Sequence, residues 1–200
     1  VKCDICGKDT YITYIDRNYW KICDDCFVPD GIFTHRCVID PLRFGGNYGR
    51  GDKVYYRTEY FELYELLPKG IYNKYVKNYE TALWGLFDER ILWTADQLRK
   101  IYGRMTANTW KWGGRHQYRG YRPGNCKIGA FFSQHKYGRG IDLIPSKYKA
   151  QNIRDDIKDD PYKEEFKYIT CIEDFKGMSW IHMDSRNWDK RKNGLLIVGG

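Results

Sequence analysis

Two short cysteine knuckles, Cys3-x2-Cys6 and Cys23-x2-Cys26, stand sixteen residues apart near the start of the sequence. Each places two thiolates where they can grip one metal ion, and two such turns complete a closed tetrahedral site. The residues between them supply the hairpin of a zinc ribbon, with strand-like stretches Tyr11-Ile12-Thr13-Tyr14-Ile15 and Tyr19-Trp20-Lys21-Ile22. A segment of about 40 residues buries too little apolar surface to fold alone. A structural zinc on Cys3, Cys6, Cys23 and Cys26 is therefore expected to supply folding energy. The competing reading, a disulfide pair, needs an oxidising compartment. His35 and Cys37 follow closely but read as packing residues, and Cys126 and Cys171 as isolated thiols.

The whole chain has 200 residues, 42% hydrophobic and 30% charged, enough for one ordinary domain beside the ribbon and unlike a disordered chain. Apolar runs such as Ile91-Leu92-Trp93 fall far short of the roughly 20 residues of a membrane span, so none is expected. The start, Val1-Lys2-Cys3-Asp4, has no signal-peptide-like apolar stretch, an expectation against Sec-type secretion.

The net charge of +8 is localised. Residues 1–45 carry 6 basic and 7 acidic groups, residues 46–80 carry 6 and 5, and residues 141–200 carry 11 of each. Residues 81–140 carry 11 against 3, and residues 99–139 hold ten Lys or Arg with no Asp or Glu. Such a block points to an anionic ligand (nucleic acid, acidic glycan or peptide carboxylate) or to a solvated face. The slightly acidic ribbon reads as a docking or supporting element, with nucleic-acid binding as its alternative.

Residues 41–51, PLRFGGNYGRG, read as a linker or long loop. Residues 55–67 mix periods and stay open between strand and helix. Ile91, Leu92, Ala95, Leu98, Ile101 and Tyr102 recur at helical spacing and predict a helix over 88–102, closed by Gly103. Ser146 reads as the N-cap of a second helix running to about Asp159, halted before Pro161. Strand-like runs at 168–172 and 179–184 follow, joined through Lys176-Gly177. The fold class expected is α+β, with a ribbon over 1–40, linker and extension over 41–80, and the main domain over 81–200.

The chemistry-bearing residues lie in that last part. Gly138 and Gly140 permit a tight turn between His135 and Asp142, and Ile141-Asp142-Leu143-Ile144 reads as a following strand. Forty residues after Asp142, Trp180-Ile181-His182-Met183-Asp184 reads as a strand with His182 and Asp184 on one face. Two histidines and a carboxylate suffice for a catalytic zinc that keeps one position open to water. Taken alone, a His-x6-Asp pair is equally what structural histidines look like.

In order and spacing, Ser133-x-His135-x2-Gly138-x3-Asp142 and Trp180-x-His182-x-Asp184-x-Arg186 resemble motifs of the D-Ala-D-Ala carboxypeptidase-type zinc peptidases. That group shares its fold with the hedgehog signalling domain and includes many phage endopeptidases. Arg119-Gly120-Tyr121-Arg122-Pro123 is similar to its Gly-Tyr-Arg segment, and the resemblance covers residues 81–190. It implies a hedgehog/DD-peptidase-like domain with an antiparallel sheet and flanking helices. It also implies that His135, Asp142 and His182 hold a catalytic zinc and that Arg122 steadies the substrate carbonyl as it becomes an oxyanion. Ser133 and Tyr121 are expected beside the substrate, Ser133 as a hydrogen-bonder that orients the loop.

The family's usual general base has no counterpart, because Ser179 and Trp180 stand where relatives carry Glu, Asp or His. Asp184 is the candidate base, as some phage-type members carry the same His-x-Asp-x-Arg arrangement. Its alternative roles are to hold Arg186 or to orient His182; Glu173 and Asp174 follow as candidates, and His116 reads as structural. The function implied is a phage-encoded zinc peptidase of the host cytoplasm or the virion, with one catalytic and one structural zinc. Its partner would be a peptidoglycan stem peptide or a similar anionic peptide, attracted by the basic block. Two other classes stay open. One is a non-catalytic binding or virion-associated protein on a degenerate peptidase fold. The other is a nucleic-acid-binding protein using the zinc ribbon and the basic block 99–139; within it, at residues 110–119, Trp and Tyr interleave with Arg and Lys and could stack on bases, stack on sugar rings or pack as a strand.

Overall fold

The computed structural model describes residues 55–199 and the backbone of two short strands N-terminal to them. Two compact units divide the chain: Val1–Tyr55 with Pro123–Cys126, and Tyr56–Arg122 with Lys127–Gly200. In the first, β1 (Tyr14–Ile15) pairs antiparallel with β2 (Lys21–Ile22), Tyr14 opposite Ile22 and Ile15 opposite Lys21. These strands fall inside the two stretches read as a hairpin. Cys3, Cys6, Cys23, Cys26, His35 and Cys37, and with them the structural zinc site, lie outside the described residues.

The second unit begins with an extended stretch tied down by Asp96, whose carboxylate accepts from Tyr56 Oη at 2.8 Å and from the Glu59 and Tyr60 amides at 2.8 and 3.2 Å. Helix α1 (Leu63–Leu66) follows, its start fixed by Glu65, which accepts from the Glu62 amide at 3.0 Å. The mixed period of residues 55–67 thus resolves into extended chain and then one helical turn, burying Phe61, Leu63, Leu66 and Leu67. The part of 41–80 from Tyr56 onward belongs to this unit. Pro68 leads into α2 (Lys69–Trp84). Helix α3 (Glu89–Tyr102) is capped by Asp88, which accepts from the Arg90 amide at 3.0 Å. Its periodic apolar face is buried at Ile91, Leu92, Ala95 and Leu98, as expected from spacing.

A sheet follows, made of β3 (Met105–Thr106), β4 (Gly140–Pro145), β5 (Cys171–Glu173), β6 (Ile181–Asp184) and β7 (Leu196–Val198) in the order β3-β4-β6-β5-β7. Helix α4 (Ala150–Asp159) packs on β6 with Ile153 and Ile157 fully buried, and α5 (Lys190–Asn193) precedes β7. The domain is mixed α/β, and three expectations need correction. The sheet is mixed rather than antiparallel, because β7 runs parallel to β5. The second helix starts at Ala150, not at Ser146, whose amide instead donates to Arg104 O at 3.0 Å and prolongs the β3–β4 pairing. Trp110–Trp112 is a 3-10 turn, not a strand: Trp110 Nε1 donates to Leu67 O at 2.9 Å, while Trp112 is 54% exposed. Among the described residues no helix is long and apolar enough to cross a membrane.

Candidate metal centre

Strand register brings the first pair together. In the antiparallel β4–β6 ladder Asp142 lies directly opposite His182, so their side chains share one face. His135 arrives on a 3-10 turn, Gln134–Tyr137, that Gly138 closes at φ 64. Only glycine fits there, since a Cβ would overlap the Leu86 carbonyl oxygen as well as strain the backbone. Residues 119–122 brace the turn against the strand: the Arg122 amide donates to His135 O at 3.1 Å, and the Asp142 amide to Arg119 O at 2.7 Å.

His135 Nε2, His182 Nδ1 and Asp142 Oδ1 consequently converge. The two nitrogens are 3.2 Å apart and lie 3.3 and 2.7 Å from the carboxylate oxygen, in that order. Both rings are fixed from behind. His135 Nδ1–H donates to Gly120 O at 2.7 Å, and His182 Nε2–H to Asp184 Oδ2 at 3.3 Å. With both rings neutral, these back-side bonds turn the ring hydrogens away from the centre and leave three lone-pair acceptors there, the state that a metal ion selects. A tetrahedral ion with bonds of about 2.0 Å wants ligand atoms roughly 3.3 Å apart. Two sides of the triangle match that edge length and the third, from His182 Nδ1 to Asp142 Oδ1, is shorter at 2.7 Å, so the donor set fits a metal ion once that hydrogen bond opens slightly; among the described residues this is the group placed to hold one.

Electrostatics agree. All three residues are buried, with His135 1%, His182 5% and Asp142 6% exposed. Burial alone would lower the pKa of His182, but its hydrogen bonds to Asp142 and Asp184 lift it to about 10. Burial lowers that of His135, and the charge of Asp142 opposes this only in part. Asp142 would be raised by burial, yet the two imidazoles hold it far below the usual carboxylate range. A lone carboxylate facing two rings therefore keeps a proton among the three atoms until a stronger cation replaces it.

Arg122 borders this centre. Its Nη2 donates to the outer oxygen of Asp142 at 3.0 Å, its Nε to Tyr118 O at 2.6 Å, and its Nη1 reaches Ser133 Oγ at 3.4 Å. Ser133 thus touches Arg122 and opens the His135 turn. Tyr121 is 2% exposed, its ring packed edge-on to Phe87 rather than open to solvent. Asp184 is fully buried on the Nε2 side of His182, away from the converging atoms, where Arg186 grips it through Nε at 2.8 Å and Nη2 at 2.5 Å. Glu173 Oε1 is 4.0 Å from the same Nε2. Asp174 is bound elsewhere, by Arg154 and Lys158 at 2.9 and 2.8 Å. His116 is half-buried, and its carbonyl accepts from the Thr109 and Trp110 amides.

Sequence reasoning missed the carbonyl of Gly120, which selects the metal-facing nitrogen of His135. The only signal was a glycine inside Arg119-Gly120-Tyr121. It also missed Arg154, three of whose four acceptors lie 20 to 26 residues away. No protein-family model, curated protein or solved structure matches this chain.

Proposed function

We propose that the protein is a zinc-dependent peptidase acting on peptides of the bacterial cell wall. What supports this is one arrangement: three buried acceptors converging on a point, with a guanidinium on the outer oxygen of the carboxylate among them. Zinc bound there would acidify a water and polarise a carbonyl. His135 and His182 present the nitrogens that Gly120 O and Asp184 leave free. Asp142 supplies negative charge, which Arg122 balances from outside. The weakly engaged Nη1 of Arg122 is available to a carbonyl oxygen as it gains charge. Asp184, placed behind the imidazole, orients His182 and strengthens it as a ligand. The resemblance of the Ser133–Asp142 and Trp180–Arg186 motifs to those of the D-Ala-D-Ala carboxypeptidase-type peptidases points to the substrate class.

A second reading is a non-catalytic binding protein on the same scaffold. The observation that favours it is the position of Asp184 and Glu173, both on the far side of His182 from the metal position. One experiment separates the two. Zinc-loaded wild type should release new amino groups from purified sacculi or stem peptides, and His182→Ala should abolish this. Equal silence of the two proteins across those substrates defeats the peptidase reading, whereas zinc bound without turnover supports the binding protein.

A further inference from the structure

The loop from Thr109 to Arg119 is braced at both ends. His116 O accepts from the Thr109 and Trp110 amides at 2.8 and 3.2 Å, and the Gly114 amide donates to Thr109 O at 3.0 Å. A Cβ at Gly114 would overlap the Thr109 side chain, so the loop closes on itself without slack. Its other end is pinned at Arg119, whose amide donates to Asn108 Oδ1 at 2.9 Å and whose carbonyl accepts from the Asp142 amide at 2.7 Å. The Arg119 backbone therefore abuts the strand residue that contributes to the metal centre.

The charges on this loop are not balanced. Among the described residues the half-buried Arg119 side chain makes a single long hydrogen bond, from Nη1 to Ala107 O at 3.4 Å. Asp142 is the carboxylate whose charge reaches it, and that group is already engaged by Arg122 and both imidazoles. Arg115, exposed and in no ion pair among the described residues, adds like charge beside it. Burial, and then the charges of Arg119 and Arg115, lower the pKa of His116 between them. A guanidinium stripped of part of its water and given no counter-ion is costly. A planar carboxylate that meets it through two parallel bonds removes that cost.

We infer that Arg119 and Arg115 form an anion subsite beside the metal centre, which takes a carboxylate of the peptide whose scissile carbonyl lies at the metal. This rests on the peptidase reading above and names which part of the substrate the basic block receives. Continuity favours a peptide over a separate ion. Arg119 and Arg122 stand three residues apart on one braced segment, both against Asp142, so one extended ligand can meet the two.

The test uses the zinc-loaded full chain and the monohydroxamates of malonic, succinic and glutaric acid. Each is paired with the hydroxamate in which an amide replaces the carboxylate, so the members of a pair differ only in charge. At the best chain length the acid should bind about tenfold tighter than its amide, the scale of one charge-assisted hydrogen bond. In Arg115→Gln/Arg119→Gln that preference should fall below about threefold at unchanged zinc content. Arg115→Gln alone, a change at an exposed position, should remove part of it. Equal affinities within every pair in the wild type overturn the subsite and leave the metal centre standing. A preference undiminished in both variants belongs to the zinc charge alone and overturns it too. Failure of every hydroxamate to bind overturns the peptidase reading and the subsite with it. On stem peptides, amidating either the C-terminal or a side-chain carboxylate should raise KM in the wild type and not in the double variant, which identifies the group received. No effect of either amidation overturns the inference. Flat pairs, together with salt-sensitive binding of labelled oligothymidylate that the double variant loses, would assign the arginines to nucleic acid and likewise overturn it.

Discussion

Two buried polar clusters flank β6, and they are built in opposite ways. Where the strand begins, Arg154 reaches in from α4 and is 1% exposed. Its Nε meets Asp174 at 2.9 Å, its Nη1 meets Trp180 O at 2.7 Å, and its Nη2 meets Gln151 Oε1 and Met178 O at 2.6 and 3.1 Å. Donors face acceptors throughout, and the cluster is complete. In the middle of the strand, His182 meets His135 and Asp142, and three atoms that can each accept share a single proton. Buried polarity of the first kind is scaffold: it ties residues 174–180 to α4 and so sets where β6 starts. Polarity of the second kind is completed by a shared proton, in the place where a metal ion could sit. The same few residues of strand thus separate a structural cluster from a candidate metal site, and the balance of donors and acceptors tells them apart.

The sharpest way to break this contrast is to damage the scaffold cluster. Arg154→Met leaves Asp174 to Lys158 alone and strands the Trp180 and Met178 carbonyls, and should cost about 3–5 kcal/mol in urea denaturation, at about 1–3 kcal/mol for each buried group that loses its donor. Zinc bound per folded chain should stay the same; unchanged stability would remove Arg154 from the scaffold. On the other side, the peptidase proposal requires Arg122→Ala to lower kcat by roughly 10²–10³ with zinc retained, the loss that follows removal of one donor to a developing oxyanion. Asp184→Asn weakens the support behind His182 and should reduce zinc affinity about 10–100-fold in competition with a chelator. A change confined to kcat would instead make Asp184 the proton acceptor.

Per unit, the dependence on pH is the smallest of these effects. The metal-free cluster holds His182 protonated up to about 10, whereas an unfolded histidine titrates near ~6.5. Metal must displace that proton, so affinity should rise by about tenfold per pH unit between those values. Folding of the metal-free protein moves the other way. The stabilisation from the charged ring is fully present below about 6.5 and is lost as pH rises towards 10. Calorimetry in buffers of different ionisation enthalpy, with His182→Ala as the reference, should show one further proton released by the wild type at pH 7.5.

Local pattern carried much of this site and long-range geometry the remainder. The period of two in Trp180–Asp184 predicts His182 and Asp184 on one face, and they do meet, at 3.3 Å. Period alone is silent on which ring nitrogen looks where; that follows from Asp142 lying opposite His182 in the ladder. The helix at 88–102 was readable because Asp88 caps it and its apolar residues recur regularly. Ser146 misled because a good capping residue can equally donate its amide to a neighbouring strand. Alternation at Trp110 and Trp112 suggested a strand, yet Gly113 at φ 81 turns the chain back after one 3-10 turn. No local pattern marks Arg154, since three of its acceptors lie 20 to 26 residues away.

Metal stoichiometry tests the central claim most directly. The wild-type chain and the His135→Ala/His182→Ala variant would be saturated with zinc, stripped of excess and measured for metal per chain. The account predicts one ion fewer in the variant, whatever number the cysteines hold in both. Equal counts would mean that His135, Asp142 and His182 form a buried hydrogen-bonded cluster and no metal centre.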